Sequence, residues 1–348
     1  MKKLKYILFA LIITLSSCSS EDDTKGKNDI PSQSVYICGY EETATHNNIA
    51  KYWKNGKEIL LTDGTTDARA NAITIVGNDV YIAGYETDKN NHTIAKYWKN
   101  GVAVPVTNGE KQAVINAITV VGNDIYAAGW EANKDYYMAA TYWKNGVPVT
   151  ILDNGQNGAD LSAITVTGND VYVAGWENTR DQMARAKYWK NGTPITLTDG
   201  TYYALIEAIE VVGNDVYAGG YERNAKGYDV AKYWKNGEVF VLTDGTSNAR
   251  VTGIKIINDT IWIAGYKIRG GNYVGLYWKN GVPSELTDDS INFRPLAMDV
   301  SEEDIYMVGY SEGENLSKSP KYLKNGITQP LESNTSHNSR ATGIFVTK

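Results

Sequence analysis

The pentapeptide Tyr-Trp-Lys-Asn-Gly recurs seven times at nearly constant spacing, and this period constrains the fold more than any other feature of the chain. The copies begin at Tyr52, Tyr97, Tyr142, Tyr188, Tyr233, Tyr277 and Tyr322, the last reading Tyr322-Leu323-Lys324-Asn325-Gly326. Successive intervals are 45, 45, 46, 45, 44 and 45 residues. Units of this size cannot bury a hydrophobic face alone, so they must pack on one another. In the second unit, residues 72–76 form a β-rich run that ends at Gly77-Asn78-Asp79, and residues 80–85 form another. A polar stretch, residues 86–91, leads to residues 93–98, after which Lys99-Asn100-Gly101 turns the chain into residues 102–106. Asn-Gly between apolar alternations makes a hairpin turn because both residues accept positive φ. Each unit therefore reads as four strands, A to D, with tight A–B and C–D turns and longer B–C and D–A connections. Helical periodicity is absent, and four antiparallel strands per repeat make a propeller blade.

The first recognisable strand, residues 35–40 (VYICGY), is a B strand, and the last segment, residues 341–346 (ATGIFV), matches an A strand. Residues 34–348 number 315, seven times 45. The C-terminal strand is thus expected to complete the blade that the N-terminal strand begins, closing the ring without a free edge. The expectation is an all-β, seven-bladed β-propeller of four-stranded antiparallel blades, one domain spanning residues 34–348 and monomeric.

Ahead of it, Lys2, Lys3 and Lys5 precede an apolar run over residues 6–15 and then Leu15-Ser16-Ser17-Cys18, the layout of a secretory signal too short to span a membrane. Leu15 to Cys18 resembles the lipobox of bacterial lipoproteins. That resemblance implies removal of residues 1–17 and lipidation of Cys18; the alternative is an ordinary signal peptide. Residues 18–33 are polar, with Glu21-Asp22-Asp23 at their start, and read as a flexible tether. The acidic cluster resembles the export signal of surface-displayed lipoproteins, which implies a cell-envelope, outer-membrane setting with surface exposure. Loss of Lys2, Lys3 and Lys5 moves the formal charge from −6 to about −9, which disfavours nucleic acid and leaves the lipid anchor as the membrane contact. Cys38 stands where the next repeat has Ala83, so it is expected to be a small buried side chain outside any disulfide.

Strand B ending in Gly-Tyr, as in Gly219-Gly220-Tyr221, followed by a Tyr-Trp strand, resembles kelch-type blades. The recurring Gly-Tyr-Glu, Tyr-Trp-Lys-Asn-Gly and Leu-Thr-Asp-Gly runs resemble bacterial extracellular HAF-type repeats, with Ala-Lys-Tyr or similar in place of His-Ala-Phe. The resemblance spans residues 34–348 and implies fold and extracellular setting, but no particular function.

Function is expected on the B–C/D–A loop face, where the copies diverge. An arginine three residues before the expected start of strand A occurs at Arg69, Arg250, Arg294 and Arg340, an arc over blades six, seven, one and two. Blades three to five carry Val114, Asp160 and Leu205 there. Such an arc suits carboxylate or sulfate recognition, unless each arginine pairs with a loop acid of its own blade. The acids Glu41, Glu86, Glu131, Glu177 and Glu222 after strand B read as a repeated structural contact. The aromatic before them reads as inter-blade packing, with Trp130 and Trp176 as adjacent larger platforms able to stack on sugar faces. In mid-strand A, Thr74, Thr119 and Thr165 give way to Glu210, Lys255 and Asp299, then Phe345; this row either lines the channel or forms an ion-pair network.

The histidines, His46, His92 and His337, carry no ligand spacing, and no nucleophile elbow, phosphate loop or calcium loop is present, so neither metal nor cofactor is expected. The primary expectation is a surface-tethered, non-catalytic binding module for a glycan or an extracellular protein. Its alternatives are an acid/base carbohydrate hydrolase or lyase using Glu210, Asp299 and Arg294 at the channel mouth, and a structural partner in an envelope assembly.

Overall fold

The computed structural model describes residues 33–347 apart from 153–154, 156, 182, 287–291, 314–315 and 334–336. The leader, Cys18 and nearly all of the tether lie outside the described residues. The described chain forms seven four-stranded antiparallel sheets and no helix of membrane-spanning length and apolarity. Blade 2 is typical, with strands Ala68–Val76, Asp79–Thr87, Thr93–Lys99 and Val102–Pro105. The innermost strands of consecutive blades pack against one another around the whole circuit, including both neighbours of Ser339–Val346. That last strand pairs antiparallel with Val35–Glu42, with Tyr36 opposite Phe345 and Cys38 opposite Gly343, so the ring closes as the sequence predicts.

The repeated pentapeptide is scaffold. At its turn Asn100 and Gly101 take φ of 51° and 82°, the left-handed pair that a two-residue hairpin needs. The Asn100 carboxamide oxygen accepts from Val80 N at 2.8 Å, its Nδ2 donates to Asp79 at 2.8 Å, and Lys99 pairs with Asp79 at 2.9 Å. Trp53, Trp98, Trp143, Trp189, Trp234 and Trp278 are all within 2% of full burial, each in a core cluster that joins residues of adjacent blades. Four of the five acids after strand B behave as the sequence suggests: Glu41, Glu86, Glu177 and Glu222 pair with Lys51, Lys96, Lys187 and Lys232 of strand C at 2.5–2.6 Å, whereas in the blade of Glu131 the lysine position is held by Thr141. Blade 6 inverts the pattern, and Lys267 reaches Glu285 of strand D at 2.5 Å. Cys38 is fully buried, and burial pushes its thiol up to about 12, which leaves it inert.

The innermost strands differ from expectation in one respect that positions the site. Each begins about four residues earlier than the alternation implies, so the arginines are the second residue of strand A rather than three residues ahead of it. The cause is a β-bulge. In every blade one residue of strand A drops out of register with strand B: Asn71, Asn116, Ser162, Glu207, Thr252, Leu296 and Thr342. A bulge breaks the period of two and re-aims one side chain.

Candidate functional site

The bulges aim their seven side chains at the central channel, whose cavity of about 680 Å³ they all line. On three consecutive blades the bulge side chain staples its blade to the next. Thr342 Oγ1 donates to Ala70 O at 2.6 Å, Asn71 Nδ2 to Ile115 O at 2.8 Å, and Asn116 Nδ2 to Leu161 O at 3.0 Å. From blade 4 onward this series stops. Leu296 has nothing to donate, the Thr252 hydroxyl is buried without a partner among the described residues, and Glu207 is an acceptor wherever it is ionised. Burial raises the Glu207 carboxyl above its ordinary range, and the charges of Arg250 and Arg294 oppose the shift. One side of the inner rim is internally satisfied and the other carries unspent polar groups.

The arginine column lies at the loop-side end of the same strands and interleaves with the tyrosines that end strand B. Arg250 stacks 4.1 Å from the Tyr221 ring centroid, Arg294 lies 5.2 Å from Tyr266 and 5.9 Å from Tyr310, Arg340 lies 4.9 Å from Tyr310 and 5.9 Å from Tyr40, and Arg69 lies 4.7 Å from Tyr40. The aromatic column is therefore inter-blade packing, as expected, and it holds four guanidinium planes between rings. Pairing of each arginine with an acid of its own blade is not what occurs. Among the described residues Arg250 alone of the four is salt-bridged, donating through Nε and Nη2 to Asp229 at 2.9 and 2.6 Å, and Asp229 belongs to the preceding blade. Arg294 Nη1 donates to the Tyr310 hydroxyl at 3.0 Å, while Arg294 Nε and Arg69 Nε are buried without partners. The stagger of neighbouring strands makes the adjacent blade nearer than the arginine's own loop.

Of these residues, Arg250, Arg294, Tyr266 and Trp176 lie on the cavity wall together with Asp160 and Glu207; Arg69, Arg340 and Trp130 do not. The structure thus splits the two tryptophan platforms and the two halves of the arginine arc. Glu210, Lys255 and Asp299 do line the channel, deeper toward the turn face, in company with Thr74, Thr119, Thr165 and Phe345. Lys255 pairs with Glu210 at 3.7 Å, and Asp299 accepts from Val300 N at 2.9 Å and from Val346 N of the closing strand at 2.8 Å. This row therefore holds an ion pair between blades 5 and 6 and, at Asp299, a hydrogen bond that ties the closing strand to blade 7.

Asp160 and Glu207 are functional candidates that sequence reasoning did not single out. Asp160 occupies the arginine column on blade 4. Burial pushes its carboxyl up to about 7, the Glu207 charge adds to the rise, and Asn116 Nδ2, donating at 2.9 Å, opposes it. An unfolded aspartate titrates near pH ~4, so between about pH 4 and 7 the folded chain holds a proton that the unfolded chain has released. The stabilising contribution is full below that window and is lost as pH rises through 7. Asp160→Asn keeps the acceptor for Asn116 and is expected to gain on the order of 1–3 kcal/mol over the parent at pH 8 but little at pH 4. Urea unfolding of both proteins across that range checks it, and a difference independent of pH would refute the assignment.

No family model matches the chain, and no curated protein matches it. Among solved structures, a puromycin-hydrolyzing peptidase of Mycobacterium tuberculosis superposes with a TM-score of 0.56 at 10% identity, over 84% of this chain and 52% of that one. The chain spans about half the length of that protein, and at this identity the likeness is one of fold. AofleA from Arthrobotrys oligospora superposes with a TM-score of 0.43 at 10% identity, over 80% of this chain and 88% of its own. The chain is a seven-bladed β-propeller, and its use must be argued from the channel mouth.

Proposed function

We propose that the chain is a non-catalytic binding module, lipidated at Cys18 and held at the outer surface of the envelope by its tether, with its site at the loop-face mouth of the channel over blades 4 to 7. The kelch-type and HAF-type resemblance is consistent with an extracellular setting. The observation that carries the site is the asymmetry of the inner rim: Thr342, Asn71 and Asn116 staple blades 1 to 3 to their neighbours, whereas blades 4 to 7 turn Trp176, Glu207, Arg250 and Arg294 to the cavity. A concave cavity with a few convergent polar groups suits a glycan better than a protein surface, which needs a flatter area of about 800 Å² per partner. The residue 19–348 fragment is expected to bind selectively on a glycan array; silence there and in surface pull-downs would remove the reading.

The carbohydrate-enzyme alternative loses its expected carboxylates, because Asp299 is engaged by two backbone amides and Glu210 by Lys255. Asp160 and Glu207 are the pair that favours it, since both lie on the cavity wall and the Glu207 charge acts on the Asp160 carboxyl. Release of reducing ends or unsaturated products from a bound glycan, abolished by Glu207→Gln, would support that alternative.

A further inference from the structure

We propose that the ligand is an acidic sugar, a hydroxyl-bearing ring with a carboxylate or sulfate group, whose anion sits on Arg294 and Arg250 and whose hydroxyls meet Glu207 and Asp160. This inference rests on the binding-module reading and names its ligand class. The guanidinium side is built for an anion. Arg294 is fixed among the rings of Tyr266, Tyr273 and Tyr310 and by the bond from Nη1 to the Tyr310 hydroxyl, which leaves Nη2 as the donor not spent on that contact. Arg250 is held by Asp229, which leaves Nη1 as the donor not spent on that carboxylate. Planar donors locked in orientation lose little freedom on engaging a carboxylate or sulfate, and both anions match the guanidinium fork.

The other side of the mouth decides what carries the anion. A cationic ligand would meet two guanidinium groups, and a bare inorganic anion would leave the Glu207 carboxyl and the Trp176 face on the same wall unused. Sugar hydroxyls both donate and accept, so they satisfy a carboxyl in either protonation state. Burial holds Asp160 and Glu207 toward their neutral forms, which removes the repulsion that a second anion would otherwise face. Trp176, half-buried on the same wall, offers an indole face to the apolar side of a pyranose. A neutral sugar would use the tryptophan and the carboxyls but would leave the two guanidinium groups without an anion.

Calorimetric titration of the residue 19–348 fragment tests this with three probes: an oligogalacturonate, its carboxyl-reduced neutral counterpart, and a sulfated galactan oligosaccharide. Binding of the uronate, the sulfated oligomer or both, with the neutral counterpart at least about tenfold weaker, is expected; which of the two binds identifies the anion. Arg294→Gln is expected to weaken the acidic ligand at least about tenfold while barely changing the neutral one. Lys144→Gln, on the opposite face, is expected to bind as the parent does. Equal affinity for the uronate and its reduced form would overturn the acidic-sugar inference and leave the binding module standing. Failure of all three probes overturns the inference, and if the fragment also binds nothing on a wider glycan array and in surface pull-downs, the module reading falls with it.

Discussion

A chain ending at residue 338 is expected to lose cooperative folding, because the missing strand, Ser339–Val346, is the only innermost strand of blade 1. Its removal uncovers one edge of Val35–Glu42, whose six central residues are buried, and withdraws Ala341, Ile344 and Val346 from a core shared with blade 7. Three apolar side chains of this kind, with Phe345 partly buried beside them, account for roughly 5–8 kcal/mol of burial. Whole domains hold only about 5–15 kcal/mol of net stability, so the truncated chain sits at or below its folding threshold. Two polar consequences add to the loss. The buried carboxylate of Asp299 forfeits its bond from Val346 N, and the Thr342 staple from blade 1 to blade 2 disappears. Thermal unfolding followed by near-ultraviolet circular dichroism should show a broad, non-cooperative transition or a midpoint lowered by more than about 15 °C. A synthetic peptide of residues 337–348 added in trans should restore cooperativity by pairing with the open edge, as strand addition does elsewhere. A truncated protein that melts sharply at the parent temperature as a monomer would show that the ring does not depend on its closing strand.

That closure was legible from the repeat itself, since a B-type strand at one end and an A-type strand at the other leave one arrangement that pairs both. The pentapeptide was legible for the same reason: Asn-Gly demands a left-handed turn, and a tryptophan at a fixed offset in six copies demands a buried slot. The innermost strand was harder to delimit. Ala68-Arg69-Ala70-Asn71-Ala72 alternates small with polar residues, has weak strand propensity, and contains a bulge that shifts the period by one. Pattern reading therefore started the strand after the bulge and placed the arginines in a loop. Glu207 escaped notice because the bulge column holds Asn, Asn, Ser, Glu, Thr, Leu and Thr in blade order two to seven and one, which looks like a tolerant position until its direction is known. Reading that column as three self-stapling residues followed by four that cannot or do not staple would have pointed to blades 4 to 7. Asp160 entered the sequence reading only beside Val114 and Leu205 as a gap in the arginine column, and only the fold sets it on one wall with Glu207. Inter-blade partners such as Arg250 and Asp229 are likewise set by stagger between sheets, which spacing within one repeat does not encode.

Gly265→Ala is expected to destabilise the protein by about 4 kcal/mol or more, the range reserved for changes that force the backbone to move. Gly265 lies in strand B of blade 6 opposite the start of the bulge, with Val251 as its register partner. A Cβ there would stand 2.1 Å from the carbonyl oxygen of Arg250 and 3.1 Å from the Trp278 ring. The obstacle is main chain on one side and a fully buried indole on the other, so neither can swing aside as an exposed side chain would. The same glycine recurs in every blade, with the equivalent Cβ meeting a strand A carbonyl at 1.9–2.1 Å, which explains why Gly precedes the aromatic in all seven copies. Gly77→Ala supplies the contrast. That residue has φ of 59° and nothing within 4 Å of an added Cβ, so the cost is confined to a left-handed alanine, roughly 1–2 kcal/mol. Urea unfolding of both variants measures the difference, and comparable losses would mean that the bulge carbonyl yields more easily than its surroundings imply. If Gly265→Ala retains a fold, the displaced carbonyl must carry Arg250 and Thr252 with it. Affinity at the channel mouth should then fall further than in Gly77→Ala, even at temperatures where both proteins are fully folded.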